Sequence, residues 1–292
     1  MSVIELKHLS KLYGFGDATT LALDEVDLTI ESGEFVAVMG PSGCGKSTLM
    51  HLIGLLDRPT HGEYLLNGRH VARLRPNQAA KIRRDTIGFI FQSYNLIPRM
   101  TVLENVALPL MYKGVPVTRR LQTASSILER VGMRSREYFM PAQLSGGQVQ
   151  CAAIARALVN NPRLIIADEP TGNLDSAGSR LVMELLGEIH KMGNTVLFVT
   201  HNPELTRYAN RVLYMRDGAV LHDEHTVIGQ LAPAARAALL VPRKTAEDDM
   251  AGVSVLMDAL PQDAPAAKAA PARPRRTPSR GKTTRRKRKG HA

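Results

Sequence analysis

Nine consecutive residues, Gly40, Pro41, Ser42, Gly43, Cys44, Gly45, Lys46, Ser47 and Thr48, fit the pattern G-x-x-x-x-G-K-[ST]. Glycines let backbone N–H groups converge on phosphate oxygens, and a helix that follows turns its positive end toward them. Lys46 has the length to reach β- and γ-phosphates, and the Ser47 hydroxyl suits a Mg²⁺ ion. A second cluster closes the apolar run 164–167 with two adjacent acids, Asp168 and Glu169. At a strand's carboxyl end, where ligands bind in open α/β sheets, Asp168 fits a magnesium coordination sphere. Glu169 fits a general base that polarises an attacking water. An acidic helix cap is the other reading of that pair. A third cluster is Leu144, Ser145, Gly146, Gly147 and Gln148. A hydroxyl and two glycine amides at a helix start make an anion site, or else a plain N-cap with a glycine turn.

Such residues need rigid elements to hold them. Residues 35–39 form a continuous apolar run ending at Gly40, which predicts a strand buried on both faces, as in a parallel sheet. Helical spacing follows over 46–56. Strands are predicted at 3–6, 21–30, 64–68 (entering an Asn67-Gly68 turn), 87–91, 164–167 and 195–200. A hairpin about Asp217-Gly218 is predicted over 211–224. The stretch 102–160 turns helical, best at 118–131 and 147–160, and 176–192 reads as another helix. Alternating strands and helices imply an α/β core, with the helical stretch, about 93–160, as an inserted subdomain.

The 292 residues are 44% hydrophobic, enough to bury a sizeable core. Cys44 and Cys151 are the only cysteines and lack metal-ligand spacing, so neither a disulfide framework nor a zinc site is expected, and a reducing cytosolic setting is. No apolar run approaches the roughly 20 residues that span a bilayer, and the first ten residues, with Glu5, Lys7 and His8, do not read as a secretory signal. Ten of the basic residues lie between 273 and 289 without an acid among them, so the net charge of +11 leaves about +1 for the rest. The basic character belongs to the tail, and a nucleic-acid-binding domain is not expected. Residues 229–292 shift to Ala, Pro and charge; 231–240 could form a short helix, and disorder is predicted beyond Pro261.

The pentapeptide Leu144, Ser145, Gly146, Gly147, Gln148, placed between the loop at 40–48 and the acids at 168–169, resembles the signature motif of ATP-binding cassette (ABC) ATPases. The resemblance covers about residues 1–228. It implies a P-loop NTPase core of ABC type, with an N-terminal antiparallel β subdomain and the inserted helical subdomain. It implies ATP and Mg²⁺ as ligands, and roles for further residues. Gln92 resembles the glutamine that links the metal site to the membrane partner, and His201 the histidine that contacts the γ-phosphate. Asn173, Leu174 and Asp175 resemble the D-loop, and Tyr13 the aromatic that stacks on adenine. On their own, Gln92 reads as a surface residue, His201 as a strand-end cap, Asp175 as a helix N-cap and Tyr13 as a packed aromatic. The resemblance further implies a head-to-tail homodimer with each ATP between Lys46 of one copy and Ser145 of the other. It implies docking to an integral-membrane permease at the cytoplasmic face of the inner membrane. Stretches 50–57, 91–97, 107–110 and 168–176 resemble the macrolide-export, lipoprotein-release and cell-division group. In that group a periplasmic adaptor can join through the permease.

Within that group the helix after the signature usually carries arginine where this chain has Cys151. Loss of that cation predicts weaker hydrolysis, and Cys151→Arg is expected to raise it. Cys44 reads as incidental to the loop, or as a source of thiol sensitivity. The tail, without interleaved aromatics, is read first as solubilising, then as touching anionic lipid, and last as touching nucleic acid. The rival readings are a soluble ABC ATPase not coupled to transport and a non-hydrolysing regulatory module; intact Glu169 and His201 speak against the second.

Overall fold

The computed structural model of the protein describes residues 1–15 and 18–230. The helix expected at 231–240, the disorder expected beyond Pro261 and the basic tail lie outside the described residues.

Two long strands open the chain, β1 (Ser2–Phe15) and β2 (Ala18–Glu31), paired antiparallel with several register shifts. β3 (Phe35–Met39) then leads through the glycine loop into α1 (Lys46–Ile53). β4 (His61–Leu66) and β5 (Arg69–His70) join β1 and β2 in a four-stranded sheet ordered β2-β1-β4-β5, with antiparallel pairing throughout. This is the expected N-terminal β layer, although the strand expected at 3–6 is only the start of β1 and β2 extends past 21–30 at both ends. α2 (Pro76–Thr86) follows and was not expected, because its sequence is mostly polar and none of its residues is fully buried, although Ala79 and Ile82 pack against the core. Pro76 begins it, where a missing N–H costs nothing.

β6 (Ile87–Phe91) returns to the core. The helical arm contains α3 (Val102–Tyr112), α4 (Val117–Arg130) and α5 (Gly146–Leu158). Thr101 with Glu104, and Ser145 with Gln148, form capping boxes that start α3 and α5. β7 (Leu164–Asp168), α6 (Ser176–Lys191), β8 (Thr195–Val199), β9 (Arg211–Arg216) and β10 (Ala219–His225) complete the order. The second sheet has six strands ordered β10-β9-β3-β8-β7-β6. It is parallel from β9 to β6, with β10 antiparallel at the edge as the predicted hairpin.

β3 shows why a continuous apolar run was needed. Val36 and Val38 pack toward the antiparallel sheet and α1, while Phe35, Ala37 and Met39 pack toward α6. A third apolar cluster sits inside the helical arm, among Val102, Val106, Ala124, Leu128 and Cys151. α1 is shorter than expected, because Gly54 closes it and Leu55 turns into the left-handed region at φ 55°.

Candidate functional site

Parallel strands deliver their carboxyl ends to one side of a sheet, and the register decides which residues meet there. Phe91 pairs with Asp168, Asp168 with Val199, and Val38 with Val199. The residues that follow are therefore neighbours: Gln92 after β6, Glu169 after β7, His201 after β8 and the glycine loop after β3. Four stretches far apart in sequence converge on one edge.

The loop is shaped by two close approaches. A side chain at Gly40 would run into the Met215 carbonyl and Cys44 Sγ, and one at Gly45 would come within 2.5 Å of the Ala22 carbonyl. Gly40, Gly43 and Gly45 have φ of 152°, 80° and 103°, which side-chain-bearing residues rarely adopt. Gly218 N–H donates to the Cys44 carbonyl at 3.0 Å and ties the loop to the β9–β10 turn. α1 starts without a side-chain cap and without an acid in its first turn, so its N–H groups face the loop uncompensated. Lys46 is buried, and its ammonium donates to the carbonyls of Gly40 at 2.8 Å and Pro41 at 2.7 Å. Ser47 is exposed one residue on, and Ser42 and Gly43 are exposed on the loop itself. The whole is a cationic cradle for an anion.

The acids at 168 and 169 are pushed apart electrostatically. Burial, and then the charge of Glu169, hold the Asp168 carboxyl above its usual range, against the opposing pull of His51 and Lys46. The hydrogen bond with His201 holds Glu169 below its usual range, against the opposing effect of burial. His201 Nδ1 lies 3.2 Å from Glu169 Oε1. Glu169 has φ 43°, an uncommon backbone state for a residue with a side chain, and its N–H donates to Val199 at 3.2 Å. An ionised carboxylate turned by its backbone toward a histidine can accept a proton. A partly buried Asp168 beside it would be relieved by a divalent cation, which takes one or two carboxylates and leaves its other positions to phosphate and water.

The residues carried over from the family resemblance fall around this edge. Gln92 packs against Gly172, where a Cβ would approach Gln92 Nε2 within 2.5 Å, and Asn173 donates to the Gln92 carbonyl at 3.1 Å. Asp175 caps α6 by accepting from Gly178 N–H at 2.8 Å. Tyr13 lies on β1 with its hydroxyl donating to Asp57 at 2.9 Å and Lys11 Nζ 4.7 Å from its ring centre. Burial and then that bond push its phenol up, and the Thr48 hydroxyl acts the other way, which puts the ring beside the first turn of α1. Its 41% exposure leaves ring surface accessible for stacking.

Ser145, Gly146, Gly147 and Gln148 form the start of α5. The Ser145 hydroxyl accepts from Gln148 N–H at 3.4 Å, and Gln148 Oε1 accepts from Ser145 N–H at 3.1 Å. Gly146 borders Leu174 and Tyr94, and Gly147 borders Gly178 of α6. This exposed helix start borders Asn173 and Leu174 of its own chain.

Two expectations about cysteine change. Cys151 is buried within the helical-arm core, its thiol pushed up to about 11 by burial. It does not face the phosphate side of α5, so the reason given for weakened hydrolysis fails. Cys44 is also buried; burial raises its thiol, with Lys46 opposing. That disfavours the reactive thiolate.

Sequence reasoning passed over Arg156. From the last turn of α5 its guanidinium donates to the Tyr94 carbonyl at 2.8 Å and to that of Asn95. Tyr94 and Asn95 have φ of 61° and 53°, so the arginine braces a strained loop just after Gln92. Arginine is common in a helix's last turn, and no local signal separates this role from that habit. Beside it lies a cavity of about 730 Å³ whose lining includes Arg83, Phe91, Leu108, Tyr112 and Arg156.

The family model described as ABC transporter matches residues 23–172. The macrolide export ATP-binding/permease protein MacB of Hyphomonas neptunium is 48% identical over 221 residues, which is 76% of this chain and 34% of that protein. The uncharacterized ABC transporter ATP-binding protein YvrO of Bacillus subtilis is 46% identical over 222 residues, 76% of this chain and 97% of that one. The chain therefore spans about a third of that macrolide-export relative and nearly all of the stand-alone ATP-binding protein. Among solved structures, the dimeric post-hydrolysis state of the ATP-binding cassette MJ0796 bound to ADP and Pi is 44% identical. It superposes with a TM-score of 0.70, covering 76% of this chain and 98% of that one. Among the described residues, no helix is long and apolar enough to cross a membrane.

Proposed function

The chain belongs to the ABC transporter family as an ATP-binding subunit, and on that premise we propose that it hydrolyses ATP-Mg²⁺ as a homodimer docked to a membrane permease. The observation that carries the reading is the convergence of Lys46, Asp168, the Glu169–His201 pair and Gln92 at one sheet edge. Bound ATP supplies the phosphoryl group, and Mg²⁺ neutralises charge that develops on its oxygens. The loop amides from Gly40 to Thr48 and the Lys46 ammonium hold the phosphates. Ser47, Asp168 and Gln92 hold the metal. Glu169 takes a proton from the attacking water, and His201 orients Glu169 and contacts the γ-phosphate. Tyr13 stacks on the base.

Ser145, Gly146, Gly147 and Gln148 face the nucleotide held by the second copy, with Asp175 at the seam between copies. Two features favour this arrangement: the Ser145 helix start is exposed, and MJ0796 was solved as a dimer with ADP and Pi. The cavity beside Arg156 and Tyr112 has the size and apolar lining to seat a permease helix, next to the Gln92 loop. The chain would then work peripherally at the cytoplasmic face. MacB, named for macrolide export, makes an export-type system the working case.

Glu169→Gln tests the core of this. In the purified full chain, ATP binding is expected to persist while phosphate release falls by about 10²–10⁴-fold, with an ATP-dependent dimer accumulating on size exclusion. Wild-type chain that binds ATP stoichiometrically yet releases no phosphate, even with a co-expressed permease, would replace the reading with a regulatory module.

A further inference from the structure

α5 carries one amide into a wall of apolar side chains. Residues 149–155 are otherwise valine, cysteine, alanine and isoleucine, and Gln150 among them is fully buried. Its Nε2 donates to the Pro170 carbonyl at 2.7 Å and to the Phe91 carbonyl at 3.3 Å. Both partners are acceptors, which fixes the orientation of the amide, since the flipped form would set oxygen against oxygen. Its Oε1 has no hydrogen-bond partner among the described residues. That unpaired acceptor opposes stability, while the two donor bonds support it by answering backbone carbonyls. The unpaired oxygen thus gives no reason for glutamine at this position.

The two carbonyls do. Phe91 is the last residue of β6, and Gln92 follows it. Pro170 directly follows Glu169, whose backbone holds the left-handed state at φ 43°. One side chain thus spans the backbone on either side of the site, from the helix that begins at Ser145. We propose that Gln150 is a positioning residue for hydrolysis: its amide sets the spacing between the Gln92 loop and the Glu169 backbone and makes both follow α5. This rests on the ATPase reading above. A shift of α5 would pull on both carbonyls at once, so the signature helix and the general base move as a unit.

The test uses the full chain and reads steady-state phosphate release at saturating Mg-ATP, equilibrium ATP binding and thermal unfolding. Gln150→Met removes both donors at similar volume. Its kcat is expected to fall between about tenfold and 100-fold, with the ATP dissociation constant unchanged and Tm lower by only about 2–4 °C, because the Pro170 carbonyl loses its donor. Wild-type kcat, or a loss of kcat matched by equal losses of ATP affinity and Tm, would overturn the proposal. Gln150→Glu decides the matter even if the methionine variant does not fold. An ionised carboxylate there faces two carbonyl oxygens, and the protonated acid regains one donor. Its activity relative to wild type is expected to rise as pH is lowered from about 8 to about 6, at unchanged circular dichroism. A flat ratio would overturn the proposal. Wild-type chain without phosphate release would instead sink the ATPase reading itself, so the two failures are separable.

Discussion

Two helices in this protein begin in glycine-rich turns, and they are built in opposite ways. α1 starts from a loop whose glycines are demanded by backbone contact, has no side-chain cap, and draws a buried lysine over itself. α5 starts from a closed capping box, its serine hydroxyl already engaged by its own Gln148 N–H, in an exposed position. The first offers its N–H groups and a buried ammonium to an anion. The second is satisfied locally, its first donors met by its own capping box. A helix start is thus a poor guide to function by itself; what matters is whether its donors are already answered.

Gly40→Ala should have the largest effect on this contrast. The added methyl meets the Met215 carbonyl and Cys44 Sγ, and φ 152° disfavours any Cβ. A cost of about 3 kcal/mol is expected, with a Tm drop of roughly 6–12 °C and loss of ATP binding by the full chain. Gly147→Ala meets only Gly178 Cα, at 3.4 Å, and should leave ATP binding by the isolated chain intact. Equal losses of ATP binding in the two variants would break the comparison.

Cys151→Arg comes next. A long cation forced among Val106, Ala124 and Leu128 should lower stability by about 2 kcal/mol, read as a lower Tm, and should not raise ATP turnover. Faster hydrolysis at unchanged Tm would restore the view that this position supports the phosphate side. Ser145→Ala should be the smallest. Losing the cap costs about 1 kcal/mol, or roughly 2–4 °C in Tm, and ATP affinity of the isolated chain should not change. A weaker ATP affinity in the monomer would place Ser145 in its own chain's cradle after all.

Much of the site was legible before any fold was known. The loop at 40–48, the acids at 168 and 169, and the serine-glycine turn at 145–147 carry their chemistry in residue type and spacing, because each acts through groups a few residues apart. β3, β7 and β8 were legible for a related reason, since a strand covered on both faces must be apolar throughout. α2 was not, because its contact with the core, through Ala79 and Ile82, is slight in a mostly polar sequence. Nor were the full lengths of β1 and β2, whose register shifts break the alternation that marks a strand.

By itself, then, the sequence determined the local chemistry: a phosphate cradle, an acidic strand end and a capped glycine helix, together with the runs that become buried strands. Only the tertiary structure decided how these face one another. Strand register brought Gln92, Glu169 and His201 side by side. The rotation of α5 about its axis sent Cys151 into the helical-arm core and Gln150 against the Phe91 and Pro170 carbonyls. The physical reason is one of range. Hydrogen bonds and backbone conformation near a motif are set by neighbours in the chain, but which face of a helix or edge of a sheet meets another is set by burial against residues tens of positions away.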